Sequence, residues 1–290
     1  MPSQSKTNNR ISIKAIEAYR AKTYKRNGPL TTVDQAIKFV RERGFIFFWP
    51  IKDVELPSLW MAVAGDRPVA PEHDDPGHVT WGWKDQMLGE RKWYYAKLLR
   101  KKATLVSLEV APYFYALTEN YGDPDEDYLI QYEAGRLKHE NKRIYEALLG
   151  EGPMDAVALR RKVGLTGKGN KYRFDQAVVE LQTDMKILPI GVAEAGVWNY
   201  AFIYDIVPRH FPDLSEQARP ITESQARLKL TELYFRSVGA ASTRELGKLF
   251  GWRKVKLTKA VQLAEQAGLV HSGLTDTTSG EDLIALTELR

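Results

Sequence analysis

The sequence predicts an α+β protein that is mainly α-helical and consists of tandem winged-helix modules, each a helix-turn-helix followed by a short β-hairpin wing. Two observations in the second half of the chain lead to this fold class. Glycines recur with one separation, at Gly152 and Gly164 and again at Gly239 and Gly251. Each pair lies between amphipathic stretches and precedes two short apolar runs that turn residues separate. A pattern that occurs twice is typical of a duplicated structural unit.

Each copy is predicted to contain helices before and after its glycine pair and then a hairpin. Helical periodicity predicts the preceding helices at 141–149 and 223–236 and the third helices at 170–184 and 253–267. Ser242 and Glu245 have the spacing of a capping box, which predicts a helix start between the second pair of glycines. The strands of the two wings are predicted at 187–192 and 197–206 and at 269–274 and 283–289.

The first half of the chain is predicted to form a further unit of the same general type. Amphipathic helices are expected at 11–24 and 32–43, and the second ends at Gly44, ahead of an apolar strand. The remaining expectations are a long loop at 61–82, helices at 83–100, 113–117 and 127–149, and a strand at 103–110. The predicted domains are 1–140, 141–212 and 213–290.

Four aromatic side chains of the first unit have two possible roles. Phe47 and Trp49 belong to the strand between Gly44 and Pro50, and Trp60 and Trp93 follow it. They can line a pocket at the rim of a cleft, but an aromatic run bounded by glycine and proline more often belongs to a core, and we favour the core.

Aromatic and basic residues alternate between positions 83 and 102. This interleaving suits nucleic acid, because rings stack on bases while cations contact phosphates. Packing of Trp93, Tyr94 and Tyr95 in the core, with the lysines as a solvated face, explains the pattern equally well.

Composition restricts the function classes. The 290 residues carry a formal net charge of +5 and include no cysteine, which excludes disulfides and thiolate metal sites. No signal core or apolar run long enough to cross a membrane occurs, so we expect a cytoplasmic protein without a membrane partner. His73, Asp74, Asp75 and His78 are metal-ligand types, but a solvated loop is the favoured interpretation, and we expect no metal and no cofactor.

Cations cluster around both predicted third helices, which in a winged helix are the elements expected to enter a DNA groove. The candidate nucleic-acid-binding residues are Arg160, Arg161, Lys168, Lys171 and Arg173 in the first copy and Arg253, Lys254, Lys256 and Lys259 in the second. Winged helices also serve as protein-interaction modules, so a protein partner is an alternative to DNA.

Several features give the chain a family resemblance. They are Gly44-Phe45-Ile46, Ile51, Trp60, the segment 103–108 and the repeated units. The sequence resembles the tandem winged-helix alkylpurine and crosslink-repair DNA glycosylases of bacteria, the AlkZ/YcaQ type. The resemblance implies a DNA-repair function and DNA as the partner.

The sequence departs from that family at its catalytic motif. The resemblance implies Gln-x-Gln or Gln-x-Asp at positions that Phe47 and Trp49 occupy here, and Lys101-Lys102 replaces a histidine. A hydrolytic glycosylase needs a carboxylate or amide to place water and stabilise a cationic sugar, which aromatic rings cannot do.

Three hypotheses follow. The leading one is a DNA-binding protein related to the glycosylases that lacks their catalytic residues. The second is a glycosylase for alkylated bases with a relocated catalytic carboxylate, Asp53 or Glu55, although surface charges or helix caps are the simpler interpretation of both. The third is a winged-helix scaffold for protein partners.

Overall fold

The computed structural model describes residues 10–196 and 198–289. Helices outweigh strands, and three small sheets follow one another along the chain, so the predicted α+β, mainly helical class is confirmed. Residues 1–9 and Val197, with which a predicted wing strand begins, lie outside the described residues. Within those residues, none of the helices combines the length and the apolar character needed to cross a bilayer.

The N-terminal part of the chain forms a first unit around a three-stranded sheet. Its elements are β1 (Arg10–Ile11), α1 (Ile13–Thr23), α2 (Val33–Arg43), β2 (Phe45–Phe47), α3 (Leu59–Ala64), α4 (Val79–Gly89), β3 (Tyr94–Lys97), β4 (Ala103–Val106), α5 (Ala111–Tyr115) and α6 (Asp127–Glu133). Short 3-10 turns at Pro76–His78 and Leu99–Lys101 precede α4 and β4.

The second and third units repeat one order of elements. The second contains α7 (His139–Glu151), β5 (Met154–Asp155), α8 (Ala156–Lys162), α9 (Asn170–Thr183), β6 (Ile187–Ala193) and β7 (Ala201–Ile206). Two short helices, α10 (Val207–His210) and α11 (Leu214–Ala218), link it to the third. The third contains α12 (Glu223–Val238), β8 (Ala240–Ala241), α13 (Thr243–Phe250), α14 (Lys254–Gln266), β9 (Val270–Asp276) and β10 (Asp282–Leu286), and ends in a 3-10 turn.

All three units share a strand-pairing scheme. With β1 left aside, because it joins the sheet of the third unit, the first strand of each unit pairs with the last, which also pairs with the middle one, giving the orders β2-β4-β3, β5-β7-β6 and β8-β10-β9. The order agrees with the predicted helix-turn-helix and hairpin, with one short strand added before the second helix. Ser242 accepts a hydrogen bond from the Glu245 backbone and the Glu245 side chain accepts one in return, so the predicted capping box is confirmed.

Three predictions of local structure are wrong. The helix predicted at 83–100 ends at Gly89, and β3 follows, because the strand lies between two layers that bury Trp93, Tyr94 and Tyr95 alike. The predicted loop at 61–82 contains most of α3 and the start of α4. The helix predicted at 127–149 is interrupted between α6 and α7, where Gly135 has a left-handed φ of 68°.

The N-terminal sheet separates two cores. On one side Ile46, Trp93 and Leu105 pack with residues of α2, α3 and α4. On the other side Phe45, Phe47 and Tyr94 pack with aromatic and aliphatic residues of α5, α12 and α13. The first and third units therefore share a core, whereas the second unit has one of its own around Ile144, Leu159 and Leu181.

The N-terminal segment packs on the third unit. β1 pairs in parallel with β9, with Arg10 opposite Thr275 and Ile11 opposite Asp276. Arg20 is almost fully buried and donates from Nε to the Val238 carbonyl at 3.0 Å and from Nη2 to the Ala240 carbonyl at 2.9 Å. The division into 1–140, 141–212 and 213–290 stays a prediction, but contacts of residues 10–24 join the first of these ranges to the third.

Candidate nucleic-acid interface

The third helices of the second and third units each have an apolar and a basic side. Phe174, Val178 and Leu181 of α9 are buried in the second core. Leu257 and Val261 of α14 are buried in the shared core. Side chains of the other helix face point to solvent, because residues three and four apart lie on one side of a helix.

The predicted basic residues lie on α9, at the start of and along α14, on α8, and in the loop between α8 and α9. Eight of the nine are exposed: Arg161, Lys168, Lys171, Arg173, Arg253, Lys254, Lys256 and Lys259. The ninth, Arg160, is half-buried and has a buried Nε atom without a hydrogen-bond partner. The third helices, α9 and α14, therefore present their cations to solvent.

Two of these cations are paired with acids. Arg173 forms an ion pair with Glu140 of α7. Lys256 Nζ lies 2.7 Å from Glu223 Oε2. Within the described residues, Lys171, Lys254 and Lys259 form no such pair, so their charges are available to a polyanion.

A third basic element is the hairpin turn between β3 and β4. Arg100, Lys101 and Lys102, which we call the basic turn, are all exposed. Arg100 and Lys101 have left-handed φ values of 56° and 57°. Such conformations cost about 1 to 3 kcal/mol each in non-glycine residues, and they are found most often at functional sites.

Neighbouring elements hold the basic turn in place. Arg100 Nη1 donates to the Lys248 carbonyl of α13 at 3.0 Å, and the buried Thr104 hydroxyl donates to the Lys102 carbonyl at 2.8 Å. At the end of α9, Thr183 Oγ1 donates to the Lys97 carbonyl at 2.9 Å. The turn thus lies between α9 and α13. The cations in the first turn of α9 lie about 20 Å from that end, because the helix has 14 residues.

An aromatic cluster lies next to this turn. The Phe48 backbone N donates to the Ala103 carbonyl at 2.9 Å, so the segment that leads from the end of β2 to Trp49 lies beside the turn. The ring centroids of Trp49 and Trp81 are 5.6 Å apart, and those of Trp81 and Tyr200 are 6.1 Å apart. We call these three partly exposed rings the aromatic platform.

Under the platform lies a buried lysine. Lys84 Nζ is 2.7 Å from Asp85 Oδ1 and 2.8 Å from Tyr200 Oη, and Tyr200 Oη donates to Asp85 Oδ1 at 2.9 Å. Five rings lie within 6 Å of the ammonium, those of Phe48, Trp81, Tyr95, Tyr200 and Phe202. Burial lowers the pKa of Lys84, and its pairing with Asp85 opposes that shift. Burial, followed by the Asp85 charge, raises the pKa of Tyr200.

The candidate catalytic carboxylates lie away from the platform. Asp53 is exposed in a turn, and its carbonyl accepts a hydrogen bond from Lys248 Nζ at 2.7 Å. Glu55 Oε2 accepts a hydrogen bond from Tyr24 at 3.3 Å and lies 3.4 Å from Arg20 Nη1. Glu55 therefore contacts α1, on the side of the sheet opposite Trp49.

Three of the four aromatic side chains with two possible roles, Phe47, Trp60 and Trp93, are buried. Phe47 belongs to the shared core and Trp93 to the core on the other side of the sheet, and both are buried. Trp60 is buried beneath His78, with ring centroids 5.1 Å apart. Only Trp49 of the four is partly exposed, because the others fill space between layers.

The loop from His73 to His78 is held by its own contacts. Asp75 accepts two hydrogen bonds from Arg67, at 2.6 and 3.0 Å, and His78 Nε2 lies 2.9 Å from the Ala70 carbonyl. In the part of the chain that the structure describes, no three histidine or acidic residues come together as metal ligands would.

Sequence reasoning missed the group formed by Lys84, Asp85 and Tyr200. Trp81 and Asp85 are four residues apart on α4, so helical spacing could have placed these two on one face. No local signal reveals Tyr200, which lies 116 residues after Lys84.

Comparison with known proteins gives the family. A solved structure of similar fold is the DNA glycosylase AlkZ of Streptomyces sahachiroi, with a TM-score of 0.54 and 13% sequence identity over 96% of this chain and 71% of that one. No curated protein sequence matches the chain. The sequence model described as AlkZ related matches residues 30–251, from the residues before α2 to the end of α13. This match covers more than half of the chain and confirms the resemblance found in the sequence, so the chain belongs to the AlkZ-related family.

Proposed function

We propose that this protein binds duplex DNA through winged helices, as a relative of DNA-repair glycosylases. In this proposal α9, α14 and the basic turn contact the phosphate backbone. Cationic residues in such positions neutralise phosphates and release condensed counterions, which is the main source of sequence-independent affinity.

The observation that carries the proposal is the exposure of the cations on both third helices. A lysine that serves only to solvate a surface can lie anywhere on it, but here exposed cations recur at the same element of two units. The fold relationship to AlkZ adds support, because that protein is a DNA glycosylase.

We also propose that the catalytic position of the glycosylases has diverged. Phe47 and Trp49 stand where the family resemblance implies Gln-x-Gln or Gln-x-Asp, and Phe47 is fully buried in the shared core. Neither side chain can accept a proton from water.

Fluorescence anisotropy with a labelled duplex at low salt tests DNA binding. Wild type is expected to bind, and the triple variant Lys171→Ala, Lys254→Ala, Lys259→Ala is expected to bind at least tenfold more weakly, since each lost phosphate contact costs affinity. The matched control removes three exposed lysines of α1 and α2, Lys14, Lys22 and Lys38, and should retain wild-type affinity. No binding by wild type would reject the proposal, and a protein partner that co-purifies without DNA would favour the scaffold hypothesis.

A second candidate function is glycosylase activity with Asp85 as the relocated carboxylate. Asp85 is partly exposed, accepts hydrogen bonds from Lys84 and Tyr200, and lies on the same face of α4 as Trp81. It is therefore linked to Trp49 through the Trp81 ring, which contacts that of Trp49.

Release of alkylated bases from DNA tests this second candidate. If the activity exists, Asp85→Asn should abolish base release, whereas the double variant Asp53→Asn, Glu55→Gln should retain it. Activity that survives in Asp85→Asn and disappears in the double variant would return the role to the carboxylates predicted from the sequence.

A further inference from the structure

We propose that the aromatic platform binds an unpaired nucleobase, so that the protein prefers DNA with an unpaired base to fully paired DNA. This inference rests on the proposed DNA-binding function and adds the substrate class. In the described structure the platform is formed by the segment after β2, by α4 and by the segment before β7, so it exists only when the first and second units are docked together.

The rings of the platform are accessible to a ligand. Trp81 exposes 37% of its surface and Trp49 and Tyr200 are partly exposed. Trp198, two residues before Tyr200 at the wing tip, exposes 88%. Exposed aromatic rings in a group are uncommon on soluble proteins unless they serve binding, and every base offers a face on which such rings can stack.

Contacts beneath the platform fix its shape before a ligand arrives. Phe48 packs edge-on against Trp81, with centroids 6.2 Å apart, and Lys84, Asp85 and Tyr200 form a closed triangle of hydrogen bonds under it. A ring held in place loses little conformational freedom on binding, which preserves the stacking energy.

The charges around the platform match a nucleotide. The basic turn is positioned to contact a phosphate, because Ala103, which follows Lys102, is hydrogen-bonded to Phe48. Asp85 accepts a hydrogen bond from Tyr200 of the platform, and its charge is balanced by Lys84 at 2.7 Å. A nucleotide needs both a surface for its base and a cation for its phosphate, and here two hydrogen-bonded segments of the chain carry them.

Paired bases cannot use this platform. In a duplex each base stacks on its neighbours, and a base must leave the stack to lie against a protein ring. The cost of unstacking is lowest when the base has no partner, so the platform selects DNA with an unpaired base.

Lys84 adds a preference among bases. Its ammonium lies 5.0 Å from the centroid of Trp81 and already attracts the electron density of that ring. A second cation on the same ring is disfavoured, because the two positive charges compete for one quadrupole and repel each other. The platform should therefore bind a neutral purine more tightly than a purine that alkylation has made cationic.

Anisotropy titrations with duplexes that differ by one extra unpaired adenine test the inference. Wild type is expected to bind the bulged duplex about fivefold or more tightly than the paired one, the range that stacking of one base gives. Trp81→Ala should bind both duplexes equally, whereas Trp81→Phe should keep most of the preference. Tyr121→Ala, a change at an exposed ring outside the platform, should leave it unchanged. Thermal melts by circular dichroism establish that each variant is folded.

A fluorescent base gives a readout independent of affinity. With 2-aminopurine as the unpaired base, wild type at saturation is expected to quench its emission by stacking, and Trp81→Ala is not. Replacing the unpaired adenine by a cationic 7-methylpurine should weaken binding by wild type; equal or tighter binding would contradict the role of Lys84.

The outcomes separate this inference from the proposed function. Equal binding of paired and bulged duplexes by wild type would overturn the platform and leave DNA binding intact. Absence of binding to either duplex would reject both the base-binding platform and the proposed DNA-binding function. The triple lysine variant should bind both duplexes more weakly by the same factor, since its lysines act on the backbone alone.

Discussion

Lys84 Nζ and Tyr200 Oη lie 2.8 Å apart and connect α4 of the first unit to the segment before β7 of the second. The bond is part of a triangle with Asp85, and the ammonium is almost fully buried among five aromatic rings. A buried charge is tolerated only when it is paired and hydrogen-bonded, so this triangle fixes the relative position of the two units.

Removing Asp85 should destabilise the protein more than removing Lys84. Asp85→Ala leaves the buried ammonium without its counter-charge, which we expect to cost about 2 to 4 kcal/mol. Lys84→Met removes the charge and fills the space with an apolar chain, so its cost should stay below about 1.5 kcal/mol. Urea denaturation of both variants measures the difference, and the reverse order would contradict a paired ammonium at this position.

Stability should rise with pH because of Lys186. Burial lowers the pKa of this lysine from 10.5 to about 8, with Asn120 Oδ1 as the hydrogen-bond acceptor at 2.6 Å. Between these two values the unfolded chain binds the proton more tightly than the folded one, so raising the pH favours folding, by at most about 1.4 kcal/mol per pH unit. Below about pH 8 both states are protonated and the slope vanishes.

A comparison with Lys186→Met isolates this contribution from other titrating groups. The free energy of unfolding of wild type minus that of the variant should increase between about pH 7 and about pH 9.5. A difference that stays constant over this range would show that the pKa of Lys186 is not lowered by folding.

Arg20 should be needed to hold α1 on the third unit. It donates to two carbonyls at the junction of α12 and β8, and hydrogen bonds from a charged donor contribute about 1.5 to 3 kcal/mol. Arg20→Met should therefore lower the free energy of unfolding by about 2 kcal/mol or more, while Lys22→Ala, an exposed change on the same helix, should stay within about 0.5 kcal/mol. Equal stabilities would mean that the contacts of Arg20 are not formed in solution.

Gly44 is required by both conformation and space. Its φ is 80°, and an added Cβ would lie 2.7 Å from Leu233 Cδ1 of the third unit. Gly65 also has a positive φ, 81°, although its ψ is -173° where that of Gly44 is -47°, and no heavy atom lies within 4 Å of an added Cβ, so it controls for a positive φ without overpacking. Gly44→Ala should cost about 1 to 3 kcal/mol more than Gly65→Ala in denaturation experiments, because only the first also overpacks the core. Equal losses of stability would show that the Leu233 side chain moves aside without a measurable cost.

Local patterns in the sequence were sufficient for much of the fold. The periodicity around Ala36 and Val40 predicted α2, and Ser242 with Glu245 predicted the start of α13. β3 was missed because its residues are buried on both faces, so the apolar and polar alternation of a half-exposed strand is absent. β1 was missed because two residues carry no pattern and their partner β9 is distant in the chain.

The candidate interface was predictable only in part. Exposure of Lys171 and Lys254 follows from the opposite apolar faces of their helices, which are visible in the sequence. The platform was not predictable, because Trp49, Trp81 and Tyr200 come from separate elements that only tertiary packing brings together.

The salt dependence of duplex binding tests the central claim most directly. For wild type the logarithm of the association constant should fall linearly with the logarithm of the salt concentration, because each phosphate contact releases counterions. The variant lacking Lys171, Lys254 and Lys259 should show a slope smaller by about 2 to 3, since each phosphate contact contributes about 0.9. The variant lacking Lys14, Lys22 and Lys38 should keep the wild-type slope. Equal slopes in all three proteins, or no binding by wild type at low salt, would contradict the account.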